Sequence, residues 1–384
     1  MISRFAGARV LLAGGGSAGH VNPLLAVAAA LKDRGIEAEA LGTSQGLECD
    51  LVPASGLKLN TIAKVPAPRR PNKAALRFLP DLRQTVKDVE EIIESSGIEA
   101  VVGFGGYVSA PAYLAARNLE VPIAIHEQNA RPGLANKLGA RFADAVGVTF
   151  ENTPLEARKG TTHTVGLPLR PEIQELAKQR STVEQRVESR DRAAQALGLD
   201  PRNPIMLITG GSLGAKNLND VMVASASAFQ GRHQIIHLTG KGKSEGIEEA
   251  IQKSGFKGTW IVREYATDIE NLFAAADLVV SRSGAGMVAE LTALGLPAVY
   301  IPLPIGNGEQ RLNATEQYEA GGALIFPDKD FNEHIVRTHI APLLDSGDRL
   351  SRMANKSRRL GRIDASERMA DIVESVLSPD LGVY

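Results

Sequence analysis

The stretch Val10-LLAGGGSAGHVNPLLAVAAA-Leu31 runs from an apolar segment through glycines 14, 15, 16 and 19 into a second apolar segment with helical spacing. It reads as a buried strand, a glycine turn and a helix, with an imidazole, His20, directly behind the glycines. Ile205-MLITGGSLGAKNLNDVMVAS-Ala226 repeats the pattern: strand, glycine turn, polar residue, amphipathic helix. Two such openings mean that the chain starts an α/β unit twice.

The residues between keep the rhythm. Arg9–Ala13, Ala38–Leu41, Ala100–Val102, Pro122–Ile125 and Ala145–Val148 read as buried strands between helices. After Pro204 the series restarts with Ile205–Thr209, Gln234–Leu238, Thr259–Val262, Leu278–Ser281, Ala298–Ile301 and Ala323–Phe326. Strands separated by helices imply parallel sheets with right-handed crossovers. The expected fold is α/β: two Rossmann-like, doubly wound parallel-sheet domains facing one another across a cleft, with ligands at the carboxyl ends of the strands. The first domain spans 1–165 and the second 166–365, and a helix of about 366–384 returns to the first. Val165-GLPLR-Pro171 reads as a linker stiffened by its prolines. Residues 172–192 read as a charge-dense, solvated helix or helical hairpin to which no chemistry is assigned.

The chain has 384 residues, 43% hydrophobic and 23% charged, with a net charge of −1, a soluble globular composition that excludes a globally basic nucleic-acid binder. One cysteine, Cys49, allows no internal disulfide and no cysteine-based zinc site, which suits a reducing cytoplasm. No run approaches a membrane span, and the first strand reads as domain rather than signal peptide, so any membrane contact is expected to be peripheral.

Gly14-x-Gly16-x-x-Gly19 matches the dinucleotide fingerprint, but the second strand runs into Leu41-Gly42-Thr43 without the acid that would hold a ribose. Glu39 lies inside that strand. This speaks against a nicotinamide-dependent oxidoreductase. The remaining content is general: N–H groups at a helix start, capped by Asn22 with Pro23 in the first turn, suit phosphate oxygens. His20 at that helix start should be neutral, its pKa lowered, and is a candidate general base. Gly103-FGGYV-Ser109, with Pro111 in the following first turn, is a second anion cradle. His126, Glu127, Gln128 and Asn129 end a buried strand in four polar side chains, as a site would.

In the second half, Gly210-GSLGAK-Asn217 is a weak phosphate loop, and Tyr265 at a strand end can stack on a base or fill a core. Glu290 shares its helical face with Gly286, Met287, Ala293 and Leu294, so that face is no solvated stripe and suits a ribose diol. Gly306-NGE-Gln310 offers amide and carboxylate hydrogen bonds. Asp328-Lys-Asp330 resembles a D-x-D metal motif, but Asp330 also reads as a helix N-cap boxed with Glu333, and no metal is implied.

Together "GGGSAGHVNPLLAVA", "GFGGYVSAP", "HEQNARPGLANK", "GGSLGAKNLN", "SRSGAGMVAEL" and "GNGEQRLNA" resemble, in order, the motifs of the MurG family of N-acetylglucosaminyltransferases. The resemblance covers about Val10 to Ala320. It implies the GT-B fold and inverting transfer of GlcNAc from UDP-GlcNAc to the 4-hydroxyl of undecaprenyl-diphospho-N-acetylmuramoyl-pentapeptide (lipid I), giving lipid II in peptidoglycan synthesis. It implies no metal or other cofactor in the nucleotide site. By matching motifs, His20 would be the base, and Ser212 and Arg170 would meet the donor diphosphate. Glu290 would hold the ribose, the backbone near Ala266 the uracil under a stacked Tyr265, and Gln310 the sugar. Ser17, Ala18, Gly19 and Asn129 would complete the donor site, with Gly16, Gly105, Gly106 and Tyr107 at the acceptor diphosphate. The chain departs from the family at Ser17-Ala18-Gly19-His20, where Thr-Gly-Gly-His is common, and at Tyr265, where phenylalanine is common.

A lipid-linked acceptor implies a membrane face. Lys64 to Lys87 holds seven Lys or Arg and one Asp, interleaved with apolar residues. Arg69, Arg70, Lys73, Leu76, Arg77, Phe78 and Leu79 form the expected patch for an anionic surface at the cytoplasmic side of the plasma membrane. Cell-wall and division proteins are possible partners. Two other readings stay open: a UDP-GlcNAc 2-epimerase, which needs no lipid patch, and a non-catalytic sugar-nucleotide-binding scaffold.

Overall fold

The computed structural model describes residues 4–66, 73–211, 214–304 and 307–378. By its internal contacts the chain forms two units, one running to Arg170 and resuming at Ile363, the other spanning Pro171–Arg362.

The first unit holds strands β1 (Arg9–Ala13), β2 (Glu37–Thr43), β3 (Lys58–Ile62), β4 (Ala100–Gly103), β5 (Ile123–Glu127), β6 (Ala145–Val148) and β7 (Thr161–Thr164). They lie in the order β3-β2-β1-β4-β5-β6-β7, every pair parallel. Its helices in this stretch are α1 (Ala18–Asp33), α2 (Glu48–Ala54), α3 (Lys73–Ser96), α4 (Ser109–Asn118) and α5 (Leu134–Gly139).

Burial on both faces explains the continuous apolar runs of the central strands. In β1, Val10 and Leu12 belong to one core with α1 residues such as Leu24 and Leu31, while Leu11 and Ala13 belong to another with Val89 and Tyr113. The edge strands β3 and β7, "KLNTI" and "TTHT", lack that run, and their side chains are largely uncovered.

The second unit holds β8 (Ile205–Thr209), β9 (Gln234–Leu238), β10 (Thr259–Arg263), β11 (Leu278–Ser281), β12 (Ala298–Tyr300) and β13 (Ala323–Ile325), all parallel in the order β10-β9-β8-β11-β12-β13. Its helices are α6 (Pro171–Lys178), α7 (Val183–Ala196), α8 (Lys216–Ala224), α9 (Ile247–Lys253), α10 (Ile269–Ala275), α11 (Ala285–Leu294), α12 (Glu309–Asn313), α13 (Thr315–Glu319), α14 (Glu333–Ile335), α15 (Ala341–Leu344) and α16 (Gly347–Arg358). The last helix, α17 (Ala365–Leu377), belongs to the first unit: Met369, Ala370, Val373 and Val376 are buried in the core of Val10 and Leu12. Arg34 at the end of α1 ties it down through Glu367, Asp371 and Glu374 at 3.1, 2.7 and 3.3 Å.

Two helix starts are corrected. Helix α1 begins at Ala18 with Ser17 as N-cap, so Asn22 is no cap and Pro23 lies inside the helix. Gly16, at φ +84°, completes the turn early, and Pro23, lacking an N–H, leaves the Gly19 carbonyl without its helical donor. At the third strand-to-helix turn of the far edge, Asn332 rather than Asp330 is the cap, accepting from the Ile335 N–H at 3.2 Å. Asp330 is still in the turn closed by its N–H on Pro327 O, and the buried Phe331 sets where the helix can start. The segment read as a linker holds the boundary between the units, at Arg170 and Pro171, and it is packed: Val165 to Leu169 are buried and Gly166 O lies 2.9 Å from His126 Nε2.

Candidate functional site

In a doubly wound sheet, a crevice opens at the carboxyl ends of the two neighbouring strands whose connections leave in opposite directions. In the first unit these strands are β1 and β4, and in the second β8 and β11. The four loops that leave them begin at Gly14, Phe104, Gly210 and Arg282, which are the glycine-bearing motifs of the sequence.

In the first unit the loops after β1 and β4 converge on His20. A Cβ at Gly105 would lie 3.2 Å from His20 Nε2, and one at Gly106 would lie 2.7 Å from Gly15 O. Both glycines have φ near +90°, so both the close approach and the conformation require glycine. Ser109 joins the two loops, its hydroxyl 2.9 Å from Ala13 O and 2.8 Å from Gly105 O.

His20 Nδ1 is 3.0 Å from the Gly15 carbonyl and 3.0 Å from Ser17 Oγ. A carbonyl only accepts, so Nδ1 carries the proton and Nε2 keeps its lone pair. Burial lowers the His20 pKa below its ordinary value, against the raising pull of Gly15 O and Glu48. The direction is the one expected, and burial is its largest cause. Ser17, Ala18 and Gly19 are exposed, and the helix start leaves the first N–H groups of α1 without intrahelical acceptors. Ala18 is the first helical residue and does not sit at positive φ, so its methyl is accommodated.

The sequence gives no hint of Glu48. Fully buried beneath the loop, its carboxylate accepts from Gly16 N–H at 2.9 Å, from Thr43 N–H at 3.2 Å and from Thr43 Oγ1 at 2.8 Å. Burial pushes its pKa up, but these hydrogen bonds outweigh burial and hold it below the ordinary carboxylate value. Cβ atoms at Gly15 or Gly46 would collide with it. Its link to the glycine loop is the backbone N–H of Gly16, 32 residues away, so no local side-chain pattern announces it.

Of the polar run at the end of β5, three members turn inward. Glu127 accepts from Asn129 N–H, Gly133 N–H and Asn136 Nδ2 at 2.9, 3.0 and 2.9 Å, and Gln128 Nε2 donates to Phe104 O at 2.6 Å. Burial holds the His126 imidazole neutral, at about 4. These three hold the loops, and only Asn129 is partly exposed. Tyr107, beyond Gly106, is exposed, with the Lys64 ammonium 5.1 Å from its ring centroid.

In the second unit Gln310 links the loops after β11 and β12: its Oε1 accepts from Ser283 N–H at 3.3 Å and Leu303 N–H at 3.0 Å, leaving its amide N–H groups for a ligand. Glu290 on α11 is half-buried. Tyr265, just past β10, is 62% exposed beside the buried Ala266, so it is a surface ring rather than a core one. Ser212 lies outside the described residues, between Gly211 and Gly214 at the end of β8. Arg170 is half-buried at the last position of the first unit. Asp328, of the D-x-D pattern, is occupied by Arg282 Nη1.

Arg69 and Arg70 of the basic patch lie outside the described residues, as do the side chains of Lys73 and Leu76 in α3. Arg77 and Leu79 are exposed on that helix and Phe78 is half-buried. Among the described residues no helix is long and apolar enough to cross a membrane.

Two parallel-sheet α/β units with paired loops at each switch point are the GT-B architecture. The sequence patterns of the glycosyltransferase family 28 N-terminal and C-terminal domains match residues 10–148 and 205–376. The chain is 48% identical to the UDP-N-acetylglucosamine--N-acetylmuramyl-(pentapeptide) pyrophosphoryl-undecaprenol N-acetylglucosamine transferase of Bifidobacterium adolescentis, over 96% of this chain and 97% of that one. It superposes with a TM-score of 0.77 on the crystal structure of Acinetobacter baumannii MurG, 27% identical, covering 96% and 99% of the two chains. The chain belongs to the MurG family of hexosyltransferases. The UDP-GlcNAc 2-epimerase of Neisseria meningitidis shares the fold alone: TM-score 0.67 at 14% identity, covering 96% and 100%.

Proposed function

We propose that the chain transfers GlcNAc from UDP-GlcNAc to the 4-hydroxyl of the lipid-linked N-acetylmuramoyl-pentapeptide, with inversion, as the names of its MurG relatives suggest. One observation carries the chemistry: His20 Nδ1–H is committed to the Gly15 carbonyl, so Nε2 is a neutral base beside the two glycine loops at a switch point. The acceptor hydroxyl oxygen attacks the anomeric carbon, its proton passes to His20 Nε2, and the bond to the diphosphate oxygen breaks to release UDP. The developing charge on UDP is met by N–H groups at helix starts, by Arg170 and by Ser212, with no call on a divalent ion. Glu290 holds the ribose, Ala266 and Tyr265 the uracil, Gln310 the sugar, and Ser17, Ala18, Gly19 and Asn129 complete the donor site. Gly16, Gly105, Gly106 and Tyr107 take the acceptor diphosphate.

The acceptor's lipid places the enzyme peripherally on the cytoplasmic face of the plasma membrane. The exposed Arg77 and Leu79 support that placement. The test is turnover of UDP-GlcNAc with and without a lipid I analogue. Acceptor-dependent disaccharide and UDP formation is expected. Interconversion of UDP-GlcNAc with its 2-epimer without acceptor would overturn the reading in favour of an epimerase, and binding without any turnover would leave a scaffold.

A further inference from the structure

The turn after α6 and helix α7, in the charge-dense stretch, have no part in the chemistry above, yet they wall a cavity of about 400 Å³ in the second unit. The cavity lies near Pro204, Asp277 and Pro297, which precede β8, β11 and β12, so it is at the amino ends of the strands, opposite the proposed donor loops. Six arginines line it: Arg180, Arg186, Arg190, Arg202, Arg232 and Arg358.

Three of them are neutralised. Arg190 grips both oxygens of Asp277 at 2.7 Å, Arg202 pairs with Asp200 at 2.8 Å, and Arg232 pairs with Asp345. Arg180, Arg186 and Arg358 have no ion pair among the described residues. Arg180 is 6% exposed and spends Nη1 on Ala274 O at 2.9 Å, while its Nε meets no acceptor. Arg186 has only the carbonyls of Arg180 and Ser181, at 3.3 and 3.1 Å, and the buried Nε of Arg358 also meets none. Burial, followed by the like charges of Arg358 and Arg186, lowers the Arg180 guanidinium to about 10. A structural core would not hold three unneutralised guanidiniums together around open space, because like charges in a partly desolvated site repel.

We propose that this cavity binds a small phosphate-class oxyanion, a phosphate or diphosphate group, through Arg180, Arg186 and Arg358. Guanidiniums present paired donors that match such oxygens, and the volume is within the range of small-ligand sites, roughly 300–1,000 Å³. The site is distinct from the proposed donor loops and stands whether or not that assignment holds.

The test is calorimetric titration of the full chain with inorganic pyrophosphate at fixed ionic strength, with UDP present in saturating amount. Saturable binding is expected, weakened at least tenfold in Arg358→Gln and, separately, in Arg186→Gln. Lys253→Gln removes the same charge from α9, outside the cavity, and should leave binding unchanged. Circular dichroism of each variant verifies folding, and the buried Arg180 is left intact for that reason. Absence of saturable binding, or equal loss in all three variants, overturns the proposal.

Discussion

A ring nitrogen that donates to a carbonyl cannot also accept a proton, so the work of His20 falls to Nε2. His20→Ala should lower kcat by roughly 10²–10⁴-fold, the usual contribution of a general base. The base must be neutral, so activity falls as pH falls through its pKa. Because burial lowers that pKa, the acidic limb of kcat/KM should have its midpoint below the ordinary value of about 6.5, and the variant should lose the limb. If acceptor KM rises while kcat and the limb survive, His20 is only a hydrogen-bond donor to the diphosphate. Glu290→Ala should raise the UDP-GlcNAc dissociation constant by about 10- to 150-fold, since a charged acceptor on a diol is worth roughly 1.5–3 kcal/mol. An unchanged constant, read by titration calorimetry, removes Glu290 from the site. His20 and Glu290 stand out as candidates in the sequence because each is a polar side chain at a position whose neighbours are glycine or apolar. Glu48, bonded to a turn 32 residues away, stands in no local pattern, and the polar run from His126 to Asn129 stands out without showing that His126, Glu127 and Gln128 turn inward.

At the scale of elements, legibility followed burial. Strands covered on both faces, such as β1 and β8, show as unbroken apolar runs, whereas β3 and β7 carry mostly polar, partly exposed side chains and show no such run. Helix starts were harder to read, since the Gly16 turn and the burial of Phe331 override the cap signals at Asn22 and Asp330. The segment leading into α3 makes the prediction at this scale. Neutralising Arg69, Arg70, Lys73 and Arg77 together should weaken binding to phosphatidylserine-containing vesicles by roughly 10²–10³-fold, at about 1 kcal/mol per charge. Turnover of a short-chain soluble acceptor should be spared. Vesicle sedimentation and the soluble assay measure the two, and equal loss in both would make the segment structural or part of the active site.

At the scale of the whole molecule, chain order and unit membership part company: α17 comes after the second unit yet closes the core of the first. Met369 shows how firmly. It is fully buried, and its sulfur would stand 2.5 Å from a Cβ at Gly147 on β6, so helix and sheet fit without slack. Met369→Ala removes buried volume at the centre of that fit and should cost about 2–5 kcal/mol. For units of this size each kcal/mol is worth about 2–4 °C, so the first unit's unfolding transition should fall by roughly 4–20 °C in differential scanning calorimetry. The residues proposed for the uracil, ribose and sugar of the donor, Tyr265, Ala266, Glu290 and Gln310, belong to the other unit. Below the lowered transition, the UDP dissociation constant should therefore stay within about twofold of its starting value, the ordinary outcome for distant and independent sites. A UDP affinity that falls along with the transition would mean that the first unit supplies as much of the nucleotide site as the second, and the division of labour between them would have to be redrawn.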